Sequence, residues 1–304
     1  MIVPCVGAYL TVLSCLADGP ITGEDATVEL DEVNYETAGA VAVITLDRPE
    51  VLNAISGRPG GTRDQIVHLV GRAENDEAIG AIVLRGAGRA FCGGGDLTGN
   101  ARRDRPIDDL KFAHAATQFH HRLSSSTLPI LAAVHGHCLG AGVLLAGSCD
   151  LVIAAEGATF GFPEGRLGLV GASSLVPVIG RQWATFLTLT GESISAARAV
   201  EIGLALATEP DATVFERTVD LAGRIARMPR HSVELNRRAI RSVADASGEA
   251  AARVAALAND TVTLSMAAHA TAPDGRTFRS IIETEGMAGL KAARLAQYDQ
   301  PWLA

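Results

Sequence analysis

Two glycine-rich stretches, each preceded by an apolar run, are the feature that most limits how this chain folds. The first reads FCGGGDL from Phe91 to Leu97, and the second reads GHCLGAG from Gly136 to Gly142. Glycine lets the backbone approach a ligand closely because it has no Cβ. Backbone amides directed at one point stabilise an oxygen that becomes negative during a reaction. We therefore expect the two stretches to form one anion-stabilising site.

Strand and helix patterns alternate through most of the chain. β-Branched and apolar runs predict strands at 41–46, 81–84, 130–134 and 151–155, and helical spacing predicts helices at 62–73, 108–123 and 142–147. Thr62 is a candidate N-cap. After about Glu209 the strand patterns stop, and helices are expected at 212–228, 232–243, 249–268 and 279–296. This order indicates an α/β fold that ends in a helical region.

Charge and cysteine content exclude several classes. The formal net charge of −8 argues against a nucleic-acid partner, which requires a basic face. The five cysteines show no Cys-x-x-Cys pair, which is typical of reduced, buried thiols in a cytoplasmic protein. The His120-His121 pair and His135 with His137 have no carboxylate or cysteine at metal-ligand spacing, so no metal site is expected.

The first residues form a segment of different character. Met1 to Leu16 is apolar and uncharged, but it has no basic start and is too short to span a bilayer. We expect residues 1–27 to be a loosely ordered N-terminal extension without membrane association, and a start codon placed too early is the alternative.

Two further segments complete an ordered set of four motifs. DRPEVLNA lies upstream at 47–54, and FGFPE lies downstream at 160–164. From about Val28 to the C-terminus the chain resembles the crotonase (enoyl-CoA hydratase/isomerase) family. The resemblance implies a spiral core of repeated β-β-α units over 28–210 and a C-terminal helical trimerisation region over 211–304. It also implies assembly as a homotrimer or hexamer.

The resemblance implies an acyl-CoA thioester as substrate, with no separate cofactor because coenzyme A is part of the substrate. It assigns the Gly93 and Ala141 N–H groups to hold the oxygen of a thioester enolate. Asp96 is expected to fix its loop by hydrogen bonding. The expected substrate-binding residues of the two loops are Cys92, Gly94, Gly95, Asp96, Leu97, Gly140 and Leu144.

Basic residues near these loops are candidates for binding the phosphates of coenzyme A. Arg102 and Arg103 follow the first glycine loop, with Arg105 close behind, and Lys291 belongs to the last predicted helix. Guanidinium groups suit phosphate geometry. A solvated surface cluster is the alternative for the three arginines.

Proton transfer is the point at which this chain departs from the hydratases that it resembles. Those enzymes use two glutamates, and the matching positions here hold Leu144 and Glu164. Adding water to a double bond calls for two such groups, whereas moving a double bond needs one base. We therefore expect an isomerase with Glu164 as the proton shuttle. Hydration, with Glu164 alone or with a second acid from elsewhere in the chain, and non-catalytic acyl-CoA binding remain the alternatives.

Overall fold

The computed structural model describes residues 29–97, 105–267, 269–298 and 300–303. The extension predicted for residues 1–27 lies outside the described residues, as do Arg102 and Arg103. The described strands are β1 (Val33–Ala38), β2 (Val41–Leu46), β3 (Ala81–Gly86), β4 (Ala90–Cys92), β5 (Ile130–Val134), β6 (His137–Leu139), β7 (Leu151–Ala155), β8 (Thr159–Gly161), β9 (Ser193–Ser195) and β10 (Ala207–Glu209). The described α-helices are α1 (Thr62–Asn75), α2 (Pro106–Ser124), α3 (Ala141–Gly147), α4 (Val176–Thr190), α5 (Ala196–Glu201), α6 (Val214–Ala226), α7 (Arg230–Ala244), α8 (Ala250–Ala267) and α9 (Phe278–Leu295).

The strands form two sheets that the chain visits alternately. The larger sheet has the order β1-β2-β3-β5-β7-β10, and all its neighbours are parallel except β1 and β2. The smaller sheet has the order β4-β6-β8-β9, with β9 antiparallel. Each strand of the smaller sheet from β4 to β8 directly follows a strand of the larger one. The chain therefore winds as a spiral of β-β-α turns, and the expected α/β spiral fold with C-terminal helices is confirmed.

The central strands are apolar throughout because both faces of the larger sheet are covered. In β2, Ala42, Ile44 and Leu46 face the main core. Val41 and Val43 point the other way and pack in a second cluster, which includes Ala222 of α6. This is the pattern of a parallel sheet buried on both sides, where strands lose their polar alternation.

The expected strands at 41–46, 130–134 and 151–155 are confirmed to the residue. The expected N-cap of α1 was wrong: Gly61 caps the helix, and Thr62 is its first residue. The Thr62 hydroxyl instead accepts from the Ser56 N–H at 3.0 Å and donates to the carboxylate of Glu32. The Thr62 hydroxyl therefore ties helix α1 to Glu32, just before β1, and does not cap the helix.

Within the described residues, no helix is both long enough and apolar enough to cross a lipid bilayer.

Candidate active site

Three sequence motifs meet at one edge of the smaller sheet. β4, β6 and β8 are parallel neighbours, so their carboxyl ends lie side by side. The loop from Gly93 follows β4, Gly140 and Ala141 follow β6, and the segment 162–164 follows β8. The topology thus brings together segments that are about 70 residues apart in the chain.

The upstream motif holds the first glycine loop in place. Asn53 has a left-handed backbone (φ 57°), and its side-chain amide donates to Ala87 O at 2.8 Å and Ala90 O at 2.7 Å. Arg48 closes the turn, because its N–H donates to Asn53 Oδ1 at 2.9 Å. Its guanidinium pairs at 2.9 Å with the buried carboxylate of Asp96. The DRPEVLNA segment therefore holds the first glycine loop in position, and the Arg48–Asp96 ion pair fixes the end of that loop at Asp96.

The hydrogen bonds of this loop decide which amide is available to a ligand. The Gly93 N–H donates to Leu52 O at 2.7 Å. The sequence-based assignment of Gly93 as a donor to substrate is therefore wrong in this structure, because its only proton is already engaged. Gly95 forms a parallel bridge with Ile55, in which the bonds run from Ile55 N–H to Gly94 O and from Asp96 N–H to Ile55 O.

That bridge pattern points the N–H of Gly95 away from Ile55. Among the described residues it meets no acceptor, and a Cβ built on Gly95 has no atom within 4 Å. Gly95 therefore presents a free amide to open space two residues beyond the predicted position.

The second amide comes from the start of α3. Ala141 is the first residue of this helix, where an N–H has no intrahelical acceptor. No bond from the Ala141 N–H to a described residue is present. Gly140 before it has φ +52°, and a Cβ there would lie 2.4 Å from Glu164 Oε1. Only glycine at this position leaves room for the carboxylate.

Glu164 lies in the short 3-10 helix Pro163–Leu167 that follows β8. Its backbone carbonyl accepts from the Leu169 N–H at 3.0 Å, which fixes the residue above Gly140. Burial raises the pKa of Glu164 to about 7, against an ordinary value of 4.5, while the charge of Arg294 opposes the rise and that of Asp260 adds to it. A carboxyl group with this pKa gives up and takes back a proton near neutral pH.

An open cavity connects these groups. Gly95, Ala141, Leu144 and Glu164 all line it. Three ionisable residues that sequence reasoning did not place there also line it: His120 of α2, Asp260 of α8 and Arg294 of α9. Its remaining wall is largely apolar, so an acyl chain fits beside a small set of polar groups.

The protonation of His120 follows from its surroundings. Burial lowers its pKa to about 4, so the ring is neutral. The Ser148 hydroxyl donates to Leu144 O at 2.7 Å and therefore accepts from His120 Nδ1 at 3.0 Å. The Nε2 atom is then the unprotonated nitrogen of the ring.

Four other predicted residues have identifiable places. Gly94 and Leu97 line the cavity. Cys92 does not: it is buried behind the loop, where its sulfur accepts from the Gly94 N–H at 3.5 Å and burial raises its pKa to about 12. Lys291 is exposed on α9 and is not part of the cavity wall, which takes its positive charge from Arg294.

Comparison with known proteins agrees with this geometry. Residues 36–275 match the family model described as enoyl-CoA hydratase/isomerase.

The chain belongs to the enoyl-CoA hydratase/isomerase family, the crotonase family.

A short-chain-enoyl-CoA hydratase of Clostridium acetobutylicum is 33% identical, over 70% of this chain and 82% of that protein. A 1,2-epoxyphenylacetyl-CoA isomerase of Escherichia coli is 35% identical, over 66% of this chain and 79% of that one. The crystal structure of an enoyl-CoA hydratase from Mycobacterium smegmatis superposes with a TM-score of 0.78 at 28% identity, covering 88% of this chain and 94% of that chain. This crotonase-family member is therefore an acyl-CoA enzyme of the hydratase/isomerase kind.

Sequence reasoning missed Asp260 in this crotonase-family chain, although a signal was present. Asp260 is the only charged residue between Val254 and Ala267, within an otherwise uncharged helical stretch. A lone acid of this kind is a candidate for a pocket-facing position, because isolated charges are rarely buried without a function. His120 and Arg294 carried no comparable signal, since each has other polar or charged residues nearby.

Proposed function

We propose that this enzyme moves a double bond along the acyl chain of an acyl-CoA thioester through an enolate intermediate. The observation that carries the proposal is the placement of two amides that donate to no described residue, those of Gly95 and Ala141, on the same cavity as the Glu164 carboxyl group. Two N–H donors suit the oxygen of the thioester as it becomes negative.

In the proposed reaction Glu164 acts as the base. Its carboxylate takes a proton from the carbon next to the thioester, and the resulting enolate oxygen is held by the two amides. Returning a proton to the other end of the allylic system completes the shift. A pKa near 7 supports this role because both protonation states are populated at neutral pH. Leu144, at the position of the first of the two hydratase glutamates, supports isomerisation over hydration.

Hydration is the second candidate because several relatives are named as hydratases, including the Clostridium acetobutylicum protein. Non-catalytic acyl-CoA binding is disfavoured, because the Glu164 carboxyl group is retained at the cavity wall. A panel of 2-enoyl- and 3-enoyl-CoA thioesters of different lengths separates the reactions. Isomerisation changes the absorbance of the conjugated thioester without changing mass, whereas hydration adds the mass of one water. If no thioester in the panel changes, the proposal fails.

We also propose that the protein assembles as a homotrimer or hexamer. The C-terminal helices leave large apolar side chains exposed, among them Leu235, Ile240 and Val243 of α7 and Val262 and Met266 of α8. Burial of such surface is the usual driving force for closed, symmetric assembly. Light scattering at micromolar concentration tests this, and a monomer contradicts it.

A further inference from the structure

Asp260 lies where the cavity that Glu164 lines meets a second cavity. The two cavities share four lining residues: Ala116, His120, Leu144 and Asp260. Leu144 belongs to α3 and Asp260 to α8, so two different helices bring these side chains to the same part of the cavity wall. The Asp260 side chain thus lies in the part of the wall next to Leu144, and α3 itself contains no acidic residue.

The carboxyl group of Asp260 has no hydrogen bond or ion pair with any described residue. The two arginines that share the second cavity are engaged elsewhere. Arg253 pairs with Asp245 at 2.6 Å, and Arg241 donates to the Ser124 hydroxyl. A partly buried carboxyl group without a partner is costly, and packing alone gives no reason for it here. The cavity is what the group faces.

The charge states of Asp260 and Glu164 are linked across the cavity. Burial raises the pKa of Asp260 to about 6, and its negative charge adds to the rise at Glu164. Two carboxyl groups that repel each other favour the state in which one holds a proton. Near neutral pH the pair therefore carries one proton, which is on Glu164 in most molecules because its pKa is the higher and on Asp260 in a minority. The minority form has a protonated Asp260 and an ionised Glu164, and it is the form that can react.

We propose that Asp260 is a second catalytic proton-transfer residue, which protonates the acyl carbon remote from the thioester while Glu164 deprotonates the carbon beside it. This inference rests on the proposed double-bond shift. In a 3-enoyl thioester, the C2–H bond breaks and its proton passes to the Glu164 carboxylate. The C2 electron pair forms the C2=C3 bond, and the former C3=C4 pair takes the Asp260 proton to form a C4–H bond. Glu164 ends as the acid and Asp260 as the carboxylate, and exchange with water restores both.

The test follows isomerisation of a 3-enoyl-CoA in deuterated water, with the label at each carbon read by NMR. The wild type should place solvent deuterium at C4, because Asp260 is recharged from water. Asp260→Asn should lower the rate by about 10²-fold, in the range for loss of an acid–base group. It should also reduce the label at C4, because Glu164 alone then carries the C2 hydrogen across. Asn259→Ala, an exposed change on the same helix, is the matched control and should leave both readouts unchanged.

Asp260→Glu separates chemistry from packing, because it restores the carboxyl group on a longer side chain. Recovery of the C4 label in this variant supports the proposal even if Asp260→Asn is poorly folded. Asp260→Asn protein with wild-type rate and wild-type C4 label overturns the proposal. A wild type that isomerises no 3-enoyl-CoA is a different result, because it refutes the proposed function itself.

Discussion

Replacing Glu164 by Gln should make the folded protein more stable at alkaline pH while removing its activity. The carboxyl group is held at the cavity wall, above Gly140, where burial disfavours its charge. Glutamine keeps the size and the hydrogen-bonding capacity of the side chain but carries no charge at any pH. The change therefore removes the cost of ionising a buried group.

The size of this effect follows from the two pKa values. In the unfolded chain Glu164 titrates near its ordinary value of 4.5, and in the folded protein burial raises its pKa to about 7. Below pH 4.5 both states hold the proton, and the favourable contribution to stability is complete. This contribution is lost as the pH rises through 7, because Glu164 ionises more readily in the unfolded chain than in the folded protein. The full difference corresponds to about 3 kcal/mol of unfolding free energy.

Chemical denaturation of wild type and Glu164→Gln at pH 5 and pH 8, at one protein concentration, measures this difference. The advantage of the variant should grow by about 2–3 kcal/mol between the two pH values. Asp260 and Arg294, whose charges act on Glu164, are present in both proteins. An advantage that is the same at pH 5 and pH 8 would refute the account of a buried, neutral-pH carboxyl group.

Three further predictions concern the loops that form the site. Gly140→Ala should lower turnover by at least 10-fold and also lower the melting temperature. The added Cβ would lie 2.4 Å from Glu164 Oε1, and residue 140 has a left-handed backbone. An unchanged kcat in a steady-state assay contradicts this close approach of Glu164 to Gly140. Arg48→Met should cost about 3 kcal/mol in urea denaturation, because it removes the 2.9 Å ion pair between the Arg48 guanidinium and the buried Asp96 carboxylate; a loss below 1 kcal/mol in the same measurement counts against a role of Arg48 in holding the loop. An amide-to-ester replacement that removes the Gly95 N–H should lower kcat/KM about 10²–10³-fold, whereas Gly95→Ala, which keeps that N–H and has open space for its Cβ, should not; equal rates for the two variants exclude Gly95 as a donor.

The sequence predicts the larger sheet better than the smaller one. Runs such as VAVITL at 41–46 are long and apolar enough to be identified as buried strands. β4, β6 and β8 have three residues each, and their neighbours lie about 20 to 50 residues away in the chain. Short strands of this kind carry almost no local periodicity, so the sheet that positions the site is visible only in the folded structure.

The candidate site shows the same division between local and long-range information. Ala141 and Glu164 were identified from their motifs, and the structure places both on the cavity. The error at Gly93 arose because three consecutive glycines are equivalent in sequence, and only the bond to Leu52 O distinguishes them. Asp260 belongs to helix α8, about 100 residues beyond Glu164 in the chain. Its position at the cavity depends on the packing of α8 against α2, which the local sequence does not reveal.

Exchange of the hydrogens next to the thioester tests the central claim most directly, because it reports enolate formation without requiring the natural acyl chain. A saturated acyl-CoA is incubated in deuterated water with wild-type or Glu164→Gln protein, and loss of the α-hydrogen signal is followed by NMR. The account predicts exchange with the wild type and a rate lower by about 10²–10⁴-fold with the variant, while acyl-CoA affinity measured by calorimetry stays the same. Glu164→Gln protein that exchanges these hydrogens at the wild-type rate would contradict the assignment of Glu164 as the base.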